Sequence, residues 1–303
     1  MTPRSILLDR VGKSFGRYVA VCDVDLALAP GECVGLVGHN GAGKSTLIKL
    51  MLGLIRPDAG RVSVLGEDPC GRGGARARRE IGYLPENVAL YPALTGIETI
   101  VFYARLKGER PGDARGLLER VGLPQAAAKR PVGTYSKGMR QRLALAQAML
   151  GRPRALLLDE PTSGLDPALR QSFYEILREL RGGGATVLLS SHALAELEGE
   201  VDRVVVMNQG RKMADGDLAQ LRHLSGVLPR LRIRLAASAA PSARAALAEW
   251  QPGAGGMLEC TCAEQDIAAR LRMLPDAVAS VDIVRPSLDD IYAAFLRRPG
   301  DAA

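Results

Sequence analysis

Residues 38–46 read Gly-His-Asn-Gly-Ala-Gly-Lys-Ser-Thr and fit the spacing G-x-x-x-x-G-K-[ST]. In such a run (Gly38, His39, Asn40, Gly41, Ala42, Gly43, Lys44, Ser45, Thr46) the glycines let backbone N–H groups curl around phosphate oxygens at a helix N-terminus. Lys44 would bring a cation to the β and γ phosphates, and Ser45 a hydroxyl to Mg²⁺. A second apolar run, "RALLLDEPTSGLDP", ends in Asp159 and Glu160. Acids at the carboxyl end of a buried parallel strand sit where open α/β sheets bind ligands. Asp159 there could hold Mg²⁺ through water, and Glu160 could orient and deprotonate an attacking water. A third run, "ATVLLSSHALAEL", puts His192 at a strand end. A lone histidine is more often structural, but beside two other phosphate-handling strand ends it reads as a donor to the γ-phosphate.

These groups need elements to hold them. Cys33–Val37 is a short apolar run suited to a buried strand, and helical apolar spacing begins at Thr46, so strand, glycine loop and helix follow in the required order. "ALTGIETIVFYARLKG", "ARGLLERVGL" and "SKGMRQRLALAQAMLG" read as helices and predict a helical insert over about 87–150. Ser136 caps the last of them, with Gly138 in its first turn, so its free N–H groups offer an anion site. "VDRVVVMNQGRKMADGD" reads as a hairpin turning at Gly210. From 229 to 297 strand-like and helix-like segments alternate, with no catalytic cluster, which suggests a small α/β appendage for regulation or dimerisation.

At 303 residues the chain exceeds the usual single-domain size, and 47% hydrophobic with 24% charged residues is ordinary for a globular protein. The expected division is 1–222 and 223–303. The start has no apolar stretch of signal-peptide length, and no run approaches the roughly 20 residues of a membrane span, so a soluble cytoplasmic protein is expected. Five cysteines in no regular framework read as reduced thiols. Cys260 and Cys262 would share a strand face but supply only half of a tetrahedral metal site. The net charge is +7, and its densest run, "GRGGARARRE", lacks interleaved aromatics and reads as a solvated basic loop rather than a nucleic-acid patch.

From about residue 4 to 222 the chain resembles the ATP-binding-cassette family of transporter ATPases. "GHNGAGKST" resembles its P-loop, "YSKGMRQR" its signature, "ALLLDEP" its catalytic strand, "SGLD" its dimer-contact loop and "SSH" its histidine switch. The resemblance implies a P-loop α/β core with an antiparallel β subdomain and the helical insert. It also implies ATP and Mg²⁺ as ligands and a head-to-tail homodimer beneath an integral membrane permease, on the inner face of the cell membrane. By it, Phe15 would stack on adenine, with Tyr18 in reserve. Ser136 and Gly138 would touch the γ-phosphate across the dimer, and Asp166 would join the two sites. Two departures stand out. Lys137 replaces a signature glycine and either adds a cation near the partner's ATP or faces solvent. Glu86, in "IGYLPENVALYPALTG", replaces the glutamine that senses Mg²⁺ and water. It keeps an acceptor oxygen but adds a charge and loses the amide donor.

In "GHNGAGKS", "IGYLPENVALYPALTG" and "TYSKGMRQRLALAQAM" the chain is most similar to the cassette that serves copper-centre assembly of nitrous-oxide reductase, which adds a periplasmic accessory protein as an expected partner. The rivals are an exporter of drugs, lipids or ions and a soluble ATPase acting on ribosomes or DNA. A single cassette without a long coiled-coil insert stands against the soluble ATPase, and no nucleic-acid partner is expected.

Overall fold

The computed structural model describes residues 4–110, 112, 114–236, 241–245 and 247–297. The chain divides into two compact units, up to Leu218 and from Ala219.

The first unit opens with the long strands β1 (Ile6–Phe15) and β2 (Tyr18–Leu28), followed by β3 (Cys33–Val37), α1 (Lys44–Met51) and β4 (Ala59–Val64). Next come α2 (Gly74–Arg79), β5 (Ile81–Leu84), α3 (Gly96–Lys107), α4 (Ala114–Arg120), α5 (Gln125–Ala128) and α6 (Lys137–Ala148). The chain then runs through β6 (Ala155–Leu158), α7 (Pro167–Gly182), β7 (Thr186–Ser191), β8 (Arg203–Asn208) and β9 (Arg211–Gly216). The helix α8 (Leu218–Ser225) spans the division, which falls at Leu218 where the sequence suggested 222.

Six strands form one sheet in the order β5-β6-β7-β3-β8-β9, parallel except for the β8–β9 hairpin. Every residue of β3, β6 and β7 is buried. Strands covered on both faces must be apolar throughout rather than alternating, and "CVGLV" and "ALLL" are so. A three-stranded antiparallel sheet, β2-β1-β4, shares a core with this one. Leu47, Ile48, Leu50 and Met51 of α1 pack in it with Ile6, Leu8 and Val24 and with Val34, Leu36 and Val205. Each such side chain stabilises the fold by about 1.5–3 kcal/mol on burial. Burial also pushes the Cys33 thiol up to about 12, so it behaves as a core hydrophobe.

The helices between β5 and β6 lie where the sequence suggests an insert. Thr95 caps α3 in a reciprocal box with Glu98, whose carboxylate accepts from the Thr95 N–H and hydroxyl. The basic run at 71–80 departs from expectation. It forms α2 rather than a loop, because alanines alternate with the arginines, Ala77 is buried, and Arg78 Nη1 donates to the Pro69 carbonyl at 2.7 Å.

The second unit contains β10 (Arg230–Leu235), α9 (Pro241–Ala245), β11 (Gln251–Pro252), β12 (Leu258–Thr261), α10 (Ile267–Arg272), β13 (Val278–Val284) and α11 (Leu288–Arg297). Its four strands form an antiparallel sheet in the order β11-β12-β10-β13, over a core of Leu231, Ile233, Leu247, Trp250, Cys262 and Ile267. Cys260 packs against the same core, and burial raises both thiols. Leu247 and Trp250 pack into the core, Trp250 N donating to Leu247 O at 2.9 Å.

Candidate functional site

Where β3 leaves the sheet, two glycines are required by sterics. A Cβ on Gly38 would stand 2.8 Å from the Met207 carbonyl oxygen. One on Gly43, where φ is +104°, would stand 2.5 Å from the Ala20 oxygen. The loop is held from outside by the β8–β9 hairpin. Gln209 and Gly210 both have positive φ, as a two-residue type I′ turn needs. The Gly210 N–H donates to Ala42 O at 3.0 Å, and the Cys22 N–H donates to Gly210 O at 2.8 Å. Within the loop, His39 Nδ1 lies 2.7 Å from Asn40 O and its Nε2 lies 2.9 Å from Asn208 Oδ1. Tyr18 donates its hydroxyl to Gly41 O at 3.0 Å.

The loop encloses a cavity of about 250 Å³ lined by Tyr18, His39, Asn40, Gly41, Ala42, Gly43, Lys44, Ser45, Thr46, Glu86 and Glu160. Lys44 is buried, and its ammonium donates to Gly38 O at 2.6 Å and lies 3.4 Å from Glu160 Oε1. Asp159 and Glu160 follow β6 directly, both buried. Glu160 has φ +49°, a conformation that costs a non-glycine residue of order 1–3 kcal/mol and persists only where its surroundings impose it. Ser190, the fifth residue of β7, imposes part of it. Its hydroxyl donates to Asp159 Oδ1 at 2.6 Å and accepts from the Glu160 N–H at 2.8 Å, so one buried oxygen sets both acids. His192 Nδ1 lies 2.8 Å from Glu160 Oε2. The other carboxylate oxygen, Oε1, is buried and makes no hydrogen bond, which suits it to a ligand or water in the cavity. The Ser45 hydroxyl and Glu86 on the cavity lining, with the Asp159 carboxylate beside Glu160, are oxygen donors of the kind Mg²⁺ takes.

The other sequence-flagged residues lie apart from the cavity lining. Phe15 is exposed and sits opposite Tyr18 across the β1–β2 turn, so it is Tyr18, the reserve choice, that lines the cavity. Ser136 caps α6, accepting from the Met139 N–H at 3.3 Å, and Asp166 caps α7, accepting from the Leu169 N–H at 2.9 Å. A Cβ on Gly138 would meet Leu169 Cδ1 at 3.2 Å, and Gln141 Nε2 donates to Pro161 O at 2.8 Å. Lys137 lies over Gly164 of its own chain, where a Cβ would stand 2.5 Å from Nζ. The signature helix is thereby fastened to the segment after Glu160. Sequence reasoning passed over Ser190, and although it placed a hairpin turn at Gly210 it did not foresee that turn's hold on the glycine loop. The first signal was present in the serine pair before His192, while the second needed the sheet order.

A largely parallel sheet with a glycine loop after one strand and acids after the strand two places along defines a P-loop nucleoside triphosphatase. The comparisons narrow the class. A family model described as ABC transporter matches residues 21–163. The chain is 41% identical over 220 residues to the Nod factor export ATP-binding protein I of Rhizobium sp. (strain N33), covering 71% of this chain and 72% of that protein. It is 36% identical over 217 residues to the linearmycin resistance ATP-binding protein LnrL of Bacillus subtilis (strain 168), covering 70% and 69%. A dimeric bacterial ABC transporter cassette superposes with a TM-score of 0.65 at 26% identity, covering 70% of this chain and 98% of the cassette. The chain belongs to the ATP-binding subunits of ABC transporters and is an ATPase.

Replacing Ser190 with alanine removes the hydroxyl that donates to Asp159 Oδ1 and accepts from the Glu160 N–H. Ser190→Ala should lower ATP turnover about tenfold or more, the scale of a lost positioning contact, while a melting curve shifts by only a few degrees. Steady-state ATPase assays beside circular dichroism melts check both.

Proposed function

We propose that the chain works as a homodimer that hydrolyses ATP beneath a separate membrane permease, on the cytoplasmic face of the membrane, in an exporter. The observation that carries the ATPase half is the Glu160 carboxylate, fixed by Ser190 and His192, with one orphan oxygen facing Lys44. The exporter half is supported by the names of the two relatives, one for Nod factor export and one for linearmycin resistance. Among the described residues no helix is long and apolar enough to cross a membrane.

In this reading the P-loop N–H groups receive the ATP phosphates and Lys44 neutralises the β and γ oxygens. Ser45, Asp159 and Glu86 would hold Mg²⁺, which supplies charge neutralisation when bound. Glu160 takes the proton of the attacking water as its oxygen bonds to the γ-phosphorus and the bond to ADP breaks. His192 holds that carboxylate through Nδ1. Ser136 and Gly138, at the N-terminus of α6, would close on the partner's γ-phosphate, and Asp166 would meet the partner's matching loop. Tyr18 or Phe15 would stack on adenine. The narrower reading, copper-centre assembly for nitrous-oxide reductase with a periplasmic accessory protein, rests on the segments at 38–45, 81–96 and 134–149 alone.

Three outcomes follow from this reading. Glu160→Gln should keep ATP binding and lose hydrolysis, so that an ATP-bound dimer accumulates on size exclusion; undiminished turnover would remove the base from Glu160. Glu86→Gln should raise the Mg²⁺ concentration for half-maximal hydrolysis by roughly 5- to 30-fold, what about 1 to 2 kcal/mol corresponds to. Superimposable Mg²⁺ titrations would make Glu86 a bystander. Deleting the gene should leave a secreted or toxic compound inside the host and nitrous-oxide reduction intact, as measured by export and headspace assays. Lost nitrous-oxide reduction would instead select the copper reading.

A further inference from the structure

Glu196 lies outside the cavity lining, yet three separate segments converge on it. The Thr162 hydroxyl donates to its Oε2 at 3.3 Å. Thr162 is buried and stands two residues after Glu160. The Ser191 hydroxyl lies 3.4 Å from the same oxygen and is the neighbour of His192. On the other side Arg170 Nη2, from the first turns of α7, pairs with Oε1 at 3.3 Å. The main chain of Glu196 is held as well, since the buried Tyr174, also on α7, donates its hydroxyl to the Glu196 carbonyl at 3.1 Å. Burial and the nearby Glu196 and Glu200 carboxylates raise the Tyr174 phenol, which therefore remains a donor.

We infer that Glu196 is a positioning residue for hydrolysis, a carboxylate that ties the segment after Glu160 and the segment carrying His192 to one rigid helix. The inference rests on the reading of Glu160 as the base. Glu160 and His192 come from different strands, and their 2.8 Å contact lasts only while the two strand ends keep their spacing. The strained backbone of Glu160 must also be imposed by its neighbours. Ser190 does this from below the acids, inside the sheet. Glu196 does it from the far side of the turn, through Thr162 and Ser191, and α7 supplies a fixed anchor through Arg170 and Tyr174. A carboxylate suits the place because it accepts from the Thr162 hydroxyl while pairing with a guanidinium, with the Ser191 hydroxyl shared at 3.4 Å between it and the nearer Ala193 carbonyl, and bonds to a charged acceptor are the stronger kind. Glutamine would keep the shape but give up the charge facing Arg170 and one acceptor oxygen.

The test measures kcat and KM for ATP on full-length Glu196→Ala, Glu196→Gln and Thr162→Val, with Glu160→Gln alongside and a thermal melt of each. Glu196→Ala should lower kcat by about 10- to 100-fold with KM for ATP within about twofold of wild type, the size expected when reacting groups are misplaced by around an ångström. Glu196→Gln should fall between Glu196→Ala and wild type. Thr162→Val should lose activity on its own and add little on top of Glu196→Gln, because the two act through one contact. Should Glu196→Ala fail to fold, Glu196→Gln and the double variant decide. Unchanged kcat in Glu196→Gln and Glu196→Ala would overturn the inference. So would parallel losses in kcat, ATP affinity and melting temperature, which mark a general fold defect. If Glu160→Gln itself keeps full turnover, the failure lies with the base assignment, whereas an inactive Glu160→Gln beside a fully active Glu196→Ala condemns the positioning role alone.

Discussion

The chemistry of this cassette depends on the register of three strands that water does not reach. In the sheet Val37 pairs with Ser191 and Leu158 with Leu189, so β3, β6 and β7 end at one edge. Their next residues, Gly38, Asp159, Glu160 and His192, therefore emerge together from segments far apart in the chain. Shifting one strand by a single residue would turn its side chains to the opposite face and separate those groups. The apolar runs that looked unremarkable in the sequence are what fix that alignment, because each must bury both faces between α1 and the helices on the other side.

The core also allows strain near the site. Glu160 occupies a left-handed backbone conformation, and Gly38 and Gly43 bring the loop so near Met207 O and Ala20 O that any side chain would collide. None of these positions is comfortable alone. Each is tolerated because the surrounding packing is dense enough to hold it, and the carboxylate then faces Lys44 without a hydrogen-bond partner of its own at Oε1.

Much of this was legible in the sequence, because glycine spacing and acids after an apolar run are local signals. The P-loop, the acids after β6, the histidine after β7, the insert helices and the Ser136 cap all follow from short stretches. What stayed hidden depends on contacts across the fold. Ser190 looks like one of two interchangeable serines until the sheet brings β7 beside β6. That Tyr18 bonds the glycine loop at Gly41 turns on a strand-end geometry that periodicity does not resolve. The arginines at 71–80 were read by charge alone, which says nothing about the buried alanine that lets them wind into α2.

The turn at Gln209 and Gly210 reaches back to clasp Ala42 and Cys22, and Asn208 meets His39. The glycine loop is made from residues near the beginning of the chain, but the groups that brace it are among the last of the first unit to leave a ribosome. A nascent chain that ends before residue 208 lacks that brace, and without β7 it also lacks the neighbour that aligns β3. The glycine loop, built from the first third of the unit, thus gains its brace only after most of that unit has been made.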